Sequence, residues 1–305
     1  MSLFKTRKIL IVGAAGQLGR AMEDYFANHH EVIPLDRRNL DLSNTSEIEP
    51  TLSPLDFDLL INTSAITNVD GCEANPELAW VINSEVPAAL AKICQNRAVK
   101  MVHIGTDYVF GGDADTPYDE ESIPNPQSVY GRTKLAGEVS VLESEADALV
   151  VRTSLLYSAS RQGFPDWVLQ KAMESDLPIP VVSDRFANLT NVGSLPLLLE
   201  QLLARPDISS GLYHVVNPGC ASPAEQARFI LERASEYHIP VRTKEVRDVT
   251  MDSISAGRAP RPRYSILSVD KFVATTGKRP AAWQIALDGY LELVSSRQLT
   301  SASCL

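Results

Sequence analysis

The chain has 305 residues, 28 of them Lys or Arg and 38 Asp or Glu, for a formal charge of −10. At roughly 100–200 residues per domain this allows about two domains or one large one, and so acidic a surface argues against a general nucleic-acid binder. With 44% hydrophobic and 22% charged residues the composition is that of a globular protein able to bury a core without disulfides or metal, and no apolar stretch approaches the roughly 18 residues of a membrane span.

The opening run, Lys8–Gly13, is too short for a signal peptide and flows straight into a glycine motif, so it reads as a first strand. Further short runs rich in Val, Ile and Leu predict buried parallel strands at Val32–Asp36, Asp58–Asn62, Met101–Gly105 and Leu149–Thr153. Helical patterns lie between them at Gln17–Asn28, Pro76–Arg97 and Val129–Glu143. Asn75 caps the second of these, Pro76 occupies its first turn, and Pro87 is expected to break or kink it. The alternation predicts an α/β fold, a doubly wound parallel sheet of the Rossmann kind. Beyond about Tyr157 the regularity fades. A helix at Val192–Ala204, a strand at Gly211–Val216, helices at Pro223–Tyr237 and Ala282–Ser296, and scattered prolines predict a smaller α+β unit over the end of the sheet. The small, polar tail Thr300–Leu305 is expected to fray.

The cysteines Cys72, Cys94, Cys220 and Cys304 form neither a CxxC pair nor a zinc pattern and read as reduced thiols of a cytoplasmic protein. Among the histidines there is no HExxH and no ligand spacing; His103, inside a strand, reads as a packed core residue, and no catalytic metal is expected.

Gly13-Ala14-Ala15-Gly16-Gln17-Leu18-Gly19 follows the first strand and opens the first helix. Gly13 permits a tight turn, Gly16 lets the backbone approach a pyrophosphate, and Gly19 allows close helix–strand packing, while the N–H groups at the helix start, at Gln17 and Leu18, face the anion. Asp36, at the end of the second strand, can accept from an adenosine ribose hydroxyl and favours NAD; Arg37 and Arg38 can hold a 2′-phosphate and favour NADP. The cofactor is therefore NADPH or NADH. Ser64 and Ala65, just past Asn62, are small enough for a cofactor to pass.

Tyr130 and Lys134 are four apart and share a helix face, and Thr106 closes the strand before them. These residue types fit carbonyl reduction. Tyr130 donates a proton, a nearby Lys134 ammonium draws the phenol pKa toward neutrality and hydrogen-bonds the cofactor ribose, and Thr106 holds the substrate oxygen.

Gly13–Gly19, Thr106-Asp107-Tyr108-Val109-Phe110 and Tyr130-Gly131-Arg132-Thr133-Lys134-Leu135-Ala136-Gly137-Glu138 together resemble the extended short-chain dehydrogenases, in particular the dTDP-4-dehydrorhamnose reductase branch. Asn62–Ala65, Asp70, Glu73, Pro76, Arg152-Thr153-Ser154 and Arg261–Leu267 extend the resemblance over nearly the whole chain. It implies a Rossmann unit over 1–158 and 189–218 and a sugar-nucleotide unit over 159–188 and 219–298. It implies Thr106, Tyr130 and Lys134 as the catalytic set, Asp41 and Leu42 near the adenine, and NAD(P)H-dependent reduction of the 4-keto group of a nucleotide-activated 6-deoxyhexose. The expected partner is thus a small nucleotide sugar, met by Thr106, Asp107, Tyr108, Arg185 and Arg261, and a homodimer is compatible with the resemblance. Arg258 and Arg263, in the same Pro-rich loop as Arg261, are either diphosphate ligands or solvated charges. Leu155, Ser158 and 184–190 depart from the family pattern where it shapes the sugar pocket, so the sugar stays open. A nucleotide-sugar epimerase or dehydratase, or a non-catalytic regulatory subunit like the methionine adenosyltransferase β subunit, would share these motifs.

Overall fold

The computed structural model describes residues 6–205 and 207–302. In chain order its first half contains β1 (Lys8–Val12), α1 (Gln17–Phe26), β2 (Glu31–Leu35), α2 (Ile48–Leu52), β3 (Leu59–Asn62), α3 (Val69–Ala74), α4 (Pro76–Trp80), α5 (Val86–Arg97), β4 (Lys100–Thr106), α6 (Val129–Glu143) and β5 (Ala148–Thr153). The second half adds β6 (Leu155–Tyr157), α7 (Phe164–Glu174), β7 (Ile179–Val182), β8 (Leu189–Asn191), α8 (Ser194–Leu203), β9 (Gly211–His214), α9 (Pro223–Glu236), β10 (Val246–Val249), α10 (Asp270–Thr276) and α11 (Trp283–Ala302).

Six strands form one parallel sheet in the order β2-β1-β3-β4-β5-β9. Both faces of its central strands are covered, which is why those strands read as largely apolar runs. Alternate side chains serve the two layers. Ile9 and Ile11 of β1 pack with Met22 and Phe26 of α1 and with Leu198 and Leu202 of α8. Leu10 and Val12 face the other way, onto Ile48 and Leu52 of α2 and Leu90 and Cys94 of α5. The chain leaves β1 toward β2 and returns across it to β3, so the connections diverge at the carboxyl ends of β1 and β3. A crevice opens at such a reversal.

The expected Pro76–Arg97 helix is two helices joined by a turn of π-helix at Val81–Glu85. Pro87 lacks the N–H that would reach the Asn83 carbonyl, and the wider turn sits immediately before it. The chain bends there without stopping. Short elements the sequence pattern did not announce include α2, α3, α7, α10 and the strands β6, β7, β8 and β10.

The two-stranded pairs β6–β8 and β7–β10 share a second core with α7, α9 and α11, built on Tyr157, Leu169, Ile179, Leu189, Ile230, Trp283 and Leu287. One piece falls on the other side of the expected division. Phe272 of α10, within 219–298, is buried in the core beneath the large sheet. Helix α11 continues past Ser296 to Ala302, into the tail expected to fray; the remainder of that tail, with Cys304, lies outside the described residues. No helix among the described residues is long and apolar enough to cross a membrane.

Candidate functional site

The crevice at the ends of β1 and β3 is a cleft of about 540 Å³. Gly13, Gly16, Asp36, Arg37, Asp41, Leu42, Ser64 and Ala65 all line it. Leu40, Ile66, Leu78 and Ile82 add apolar walls that no motif singled out. Gln17, Leu18 and Gly19 lie behind the rim, in the first turn of α1, which no side chain caps, so its leading N–H groups are left for an anion. The three glycines are glycine for different reasons. Gly13 has φ of +85°, and a Cβ there would stand 2.8 Å from the Ser64 Cα. At Gly19 a Cβ would press on the Gly13 carbonyl and come within 2.7 Å of the Ala14 Cα. At Gly16 the nearest atom would be the Gly13 oxygen at 3.1 Å, so the fold tolerates a side chain there far better than at the other two.

Asp36 and Arg38 do not compete across the cleft. Arg38 donates to the Asp36 carboxylate, with Nη2–Oδ2 at 2.6 Å and Nε–Oδ2 at 3.0 Å, and this bond holds the Asp36 pKa down. Arg38 itself points outward, with an 89% exposed side chain, while Arg37 lines the cleft. At the β3 end, Asn62 accepts from the Ser64 hydroxyl (2.6 Å) and backbone N–H (3.1 Å) and meets His103 Nδ1 at 3.1 Å. His103 is fully buried and packed, as its place in a strand suggested.

Thr106, Tyr130 and Lys134 come together at the carboxyl end of β4. All three are buried. Ser128 caps α6 by accepting from the Gly131 N–H at 3.1 Å, which starts the helix so that Tyr130 sits in its first turn. The Thr106 hydroxyl lies near the Tyr130 phenol and acts on its ionisation. The Tyr130 ring meets Tyr108 edge-on at 5.4 Å between centroids and packs with Cys72 and Ala79. Burial raises the Tyr130 pKa well above its ordinary value; the nearby Thr106 hydroxyl opposes this, and the neighbouring Asp107 charge adds to it. The expected lowering by Lys134 is not among the main influences on it. The Lys134 ammonium donates instead to the Ile104 carbonyl at 2.6 Å, and burial, opposed by Glu138, brings Lys134 itself down to about 8. Tyr130 is therefore a neutral phenol, the form in which it can give up a proton.

The expected substrate residues divide. The Asp107 carboxylate, 2% exposed, is turned inward. It accepts from the Ser265 hydroxyl at 2.6 Å, the Ser154 hydroxyl at 2.9 Å and the Thr106 hydroxyl at 3.3 Å. Those bonds tie β4 to the chain after β5 and to the late Pro-rich loop, so Asp107 holds the site together and offers no free oxygen to a ligand. Tyr108 is flanked by two arginines. Arg185 Nη2 donates to its hydroxyl at 3.0 Å, and Arg261 lies close to it while pairing with Asp70 at 2.8 Å. Asp70 also accepts the Ala259 N–H at 2.7 Å. Arg263 is engaged by Asp252 at 2.7 Å and Asp184 at 3.6 Å; Arg258 is exposed, with no ion pair among the described residues.

Two buried groups escaped the sequence reading. Asn83, in the π turn, accepts from the Ile66 N–H at 2.9 Å and donates to the Ile66 carbonyl and the Thr133 hydroxyl, each at 3.1 Å, fastening the cleft wall to α6. Glu138 is fully buried against Arg152 at 2.9 Å; its position one turn after Lys134 was the available signal. No group of three His, Cys, Asp or Glu suited to a metal occurs among the described residues.

A family model described as the RmlD substrate binding domain matches residues 7–296. The chain is 34% identical over 284 residues to the dTDP-4-dehydrorhamnose reductase of Mycolicibacterium smegmatis, covering 92% of this chain and 84% of that protein. It is 31% identical to the Escherichia coli enzyme of the same name, covering 92% of this chain and 95% of the other. In structure it is similar to a dTDP-4-dehydrorhamnose reductase of Bacillus anthracis solved in complex with NADP, with a TM-score of 0.85, 30% identity, and coverage of 95% and 99% of the two chains. These matches run almost end to end, and the chain belongs to the RmlD family of extended short-chain dehydrogenases, the family of the dTDP-4-dehydrorhamnose reductases.

Proposed function

We propose that the protein reduces the 4-keto group of a nucleotide-activated 6-deoxyhexose with NADPH or NADH. The observation that carries this is the buried Thr106–Tyr130 pair at the end of β4, in the same crevice region as a cleft whose glycine turn, uncapped helix start and apolar far wall fit a dinucleotide. Bound there, the reduced nicotinamide supplies the hydride. The protein's own residues supply the rest. Thr106 and Tyr130 converge on one point, where a carbonyl oxygen is held by two hydroxyls. Tyr130, kept neutral by burial, protonates the oxygen as its charge develops. Lys134 has three N–H donors; one is spent on the Ile104 carbonyl, leaving the others to hold the cofactor ribose. Arg185 and Arg261 around Tyr108 suit the diphosphate of the sugar nucleotide. Relatives named for reducing dTDP-4-dehydrorhamnose support a dTDP-linked sugar. The unpaired Cys72, Cys94 and Cys220 suit a cytoplasmic setting.

The test is to follow NADPH oxidation with a panel of dTDP- and other nucleotide-linked 4-keto-6-deoxy sugars. Turnover with one or more of them is expected. Purified protein that retains oxidised cofactor through dialysis and interconverts sugar epimers without net NADPH loss would overturn the reductase reading.

A further inference from the structure

We propose that Glu138 is a positioning residue for this reaction, forming with Lys134 a clamp from α6 that fixes the end of β4 and so sets Thr106 against Tyr130. The proposal rests on the reductase reading for its kinetic consequence, but the clamp itself rests on geometry.

Strand β4 outlasts its neighbour. Its pairing with β3 ends at His103 opposite Asn62, whereas its pairing with β5 runs on to Thr106 opposite Thr153. Two backbone groups of this overhang, on either side of Gly105, are taken by side chains of α6. Lys134 Nζ donates to the Ile104 carbonyl at 2.6 Å, and Glu138 Oε1 accepts the Thr106 N–H at 3.2 Å. A helix places residues four apart on one face, and here that spacing meets the two-residue step of an extended strand. One side chain donates and the other accepts, matching the carbonyl and the N–H they meet. Gly105 belongs to the same arrangement, because a Cβ on it would overlap Glu138 Oε1.

The second oxygen of Glu138 is equally committed. Oε2 accepts Arg152 Nε at 2.9 Å, with the two side chains 0% and 3% exposed. Arg152 stands on β5 in register with Gly105, and its guanidinium lies over the Phe110 ring at 5.1 Å. Glu138 thus links the catalytic strand and its neighbour β5 to the catalytic helix through hydrogen bonds of a single carboxylate. It needs two acceptor oxygens, one for each donor. A glutamine has the same shape but only one oxygen; with that oxygen on Arg152, its amide N–H₂ faces the Thr106 N–H, donor against donor. Thr106 then moves away from Tyr130.

The test compares the parent with Glu138→Gln and with Glu138→Gln/Arg152→Met, measuring kcat per NADPH-binding site, KM for the sugar, NADPH affinity and melting temperature. The loss of one buried hydrogen bond to an ionised partner predicts a kcat about 10–100-fold lower in Glu138→Gln, with NADPH affinity unchanged. In the double variant no arginine competes for the glutamine oxygen, so it turns to Thr106 and kcat recovers at least about fivefold over the single variant. A purely structural role predicts changes in melting temperature without that recovery. The proposal is overturned if Glu138→Gln turns over at the parent rate per site, or if the double variant folds, binds NADPH and stays as slow as the single one. Should either variant fail to fold, hydrogen exchange of the Thr106 amide in the parent decides: protection like that of the sheet interior supports the clamp, and exchange at loop rates overturns it. A parent that binds NADPH but turns over no nucleotide sugar would instead refute the reductase reading and leave the exchange result to judge the clamp.

Discussion

Replacing Tyr130 by Phe removes one oxygen from a buried ring and leaves the ring's packing in place. The contacts with Tyr108, Cys72 and Ala79 are made by carbon atoms that phenylalanine keeps. What is lost for the fold is at most one hydrogen bond, from the phenol to the nearby Thr106 hydroxyl, and Thr106 retains Asp107 as a partner at 3.3 Å. A single net hydrogen bond is worth about 0.5–1.5 kcal/mol, which in a protein of this size moves the melting temperature by only a few degrees, roughly 2–4 °C per kcal/mol. The loss for the reaction is far larger. Without the phenol the assigned proton donor is gone, and general acid catalysis is worth about 10²–10⁴-fold, or about 3–5 kcal/mol of barrier. Following NADPH absorbance with a true substrate, the variant should lose that factor in kcat while binding NADPH as the parent does and melting within a few degrees of it. Turnover at the parent rate would refute the assignment of Tyr130 as proton donor; a collapse of melting temperature with a proportionate loss of all functions would show its role to be packing.

The two glycines at the helix start should separate fold from binding. Gly16→Val should stay folded and lose NADPH binding by calorimetry, whereas Gly19→Ala, crowding the Gly13 carbonyl and the Ala14 Cα, should lower the melting temperature; unchanged NADPH affinity in a folded Gly16→Val would place the cofactor elsewhere. Because Arg38 neutralises Asp36 while Arg37 lines the cleft, kcat/KM for NADH and NADPH should differ by less than about 100-fold, under ~3 kcal/mol. Arg38→Ala bares the carboxylate and should shift preference toward NADH; a shift toward NADPH would show that Asp36 does not face the ribose. With Lys134 brought from 10.5 down to about 8 by burial, kcat/KM should fall as pH rises through about 8, and Tyr130, held protonated, should add no limb there. The folded chain then binds fewer protons than the unfolded one between those two values, so Lys134 makes stability increase with pH across that window. A profile flat through about pH 9.5, or a Lys134→Met variant that keeps the limb, would exclude Lys134 as its source.

Much of this protein is legible in its sequence because the signals are local. Parallel strands buried on both faces carry nearly continuous apolar runs, and these show at residues 9–12 and 148–151 without any knowledge of their neighbours. A turn that needs positive φ must be glycine, as at Gly13, and so must a helix position pressed onto that turn, as at Gly19. A four-residue spacing puts Tyr130 and Lys134 on one helix face whatever that helix packs against. The short strands β6, β7, β8 and β10 are different. Each is three or four residues long and exists because a partner distant in sequence pairs with it, so no run of residues marks it. The electrostatics of the site are different again. Only the packed structure decides that Lys134 spends a bond on Ile104 rather than acting on Tyr130, that Asp107 turns to three hydroxyls rather than to a ligand, and that Arg38 folds back on Asp36. Charge and hydrogen-bond partners depend on distances of a few ångströms between residues up to 191 positions apart, as between Asp70 and Arg261, and these are set by how the layers stack.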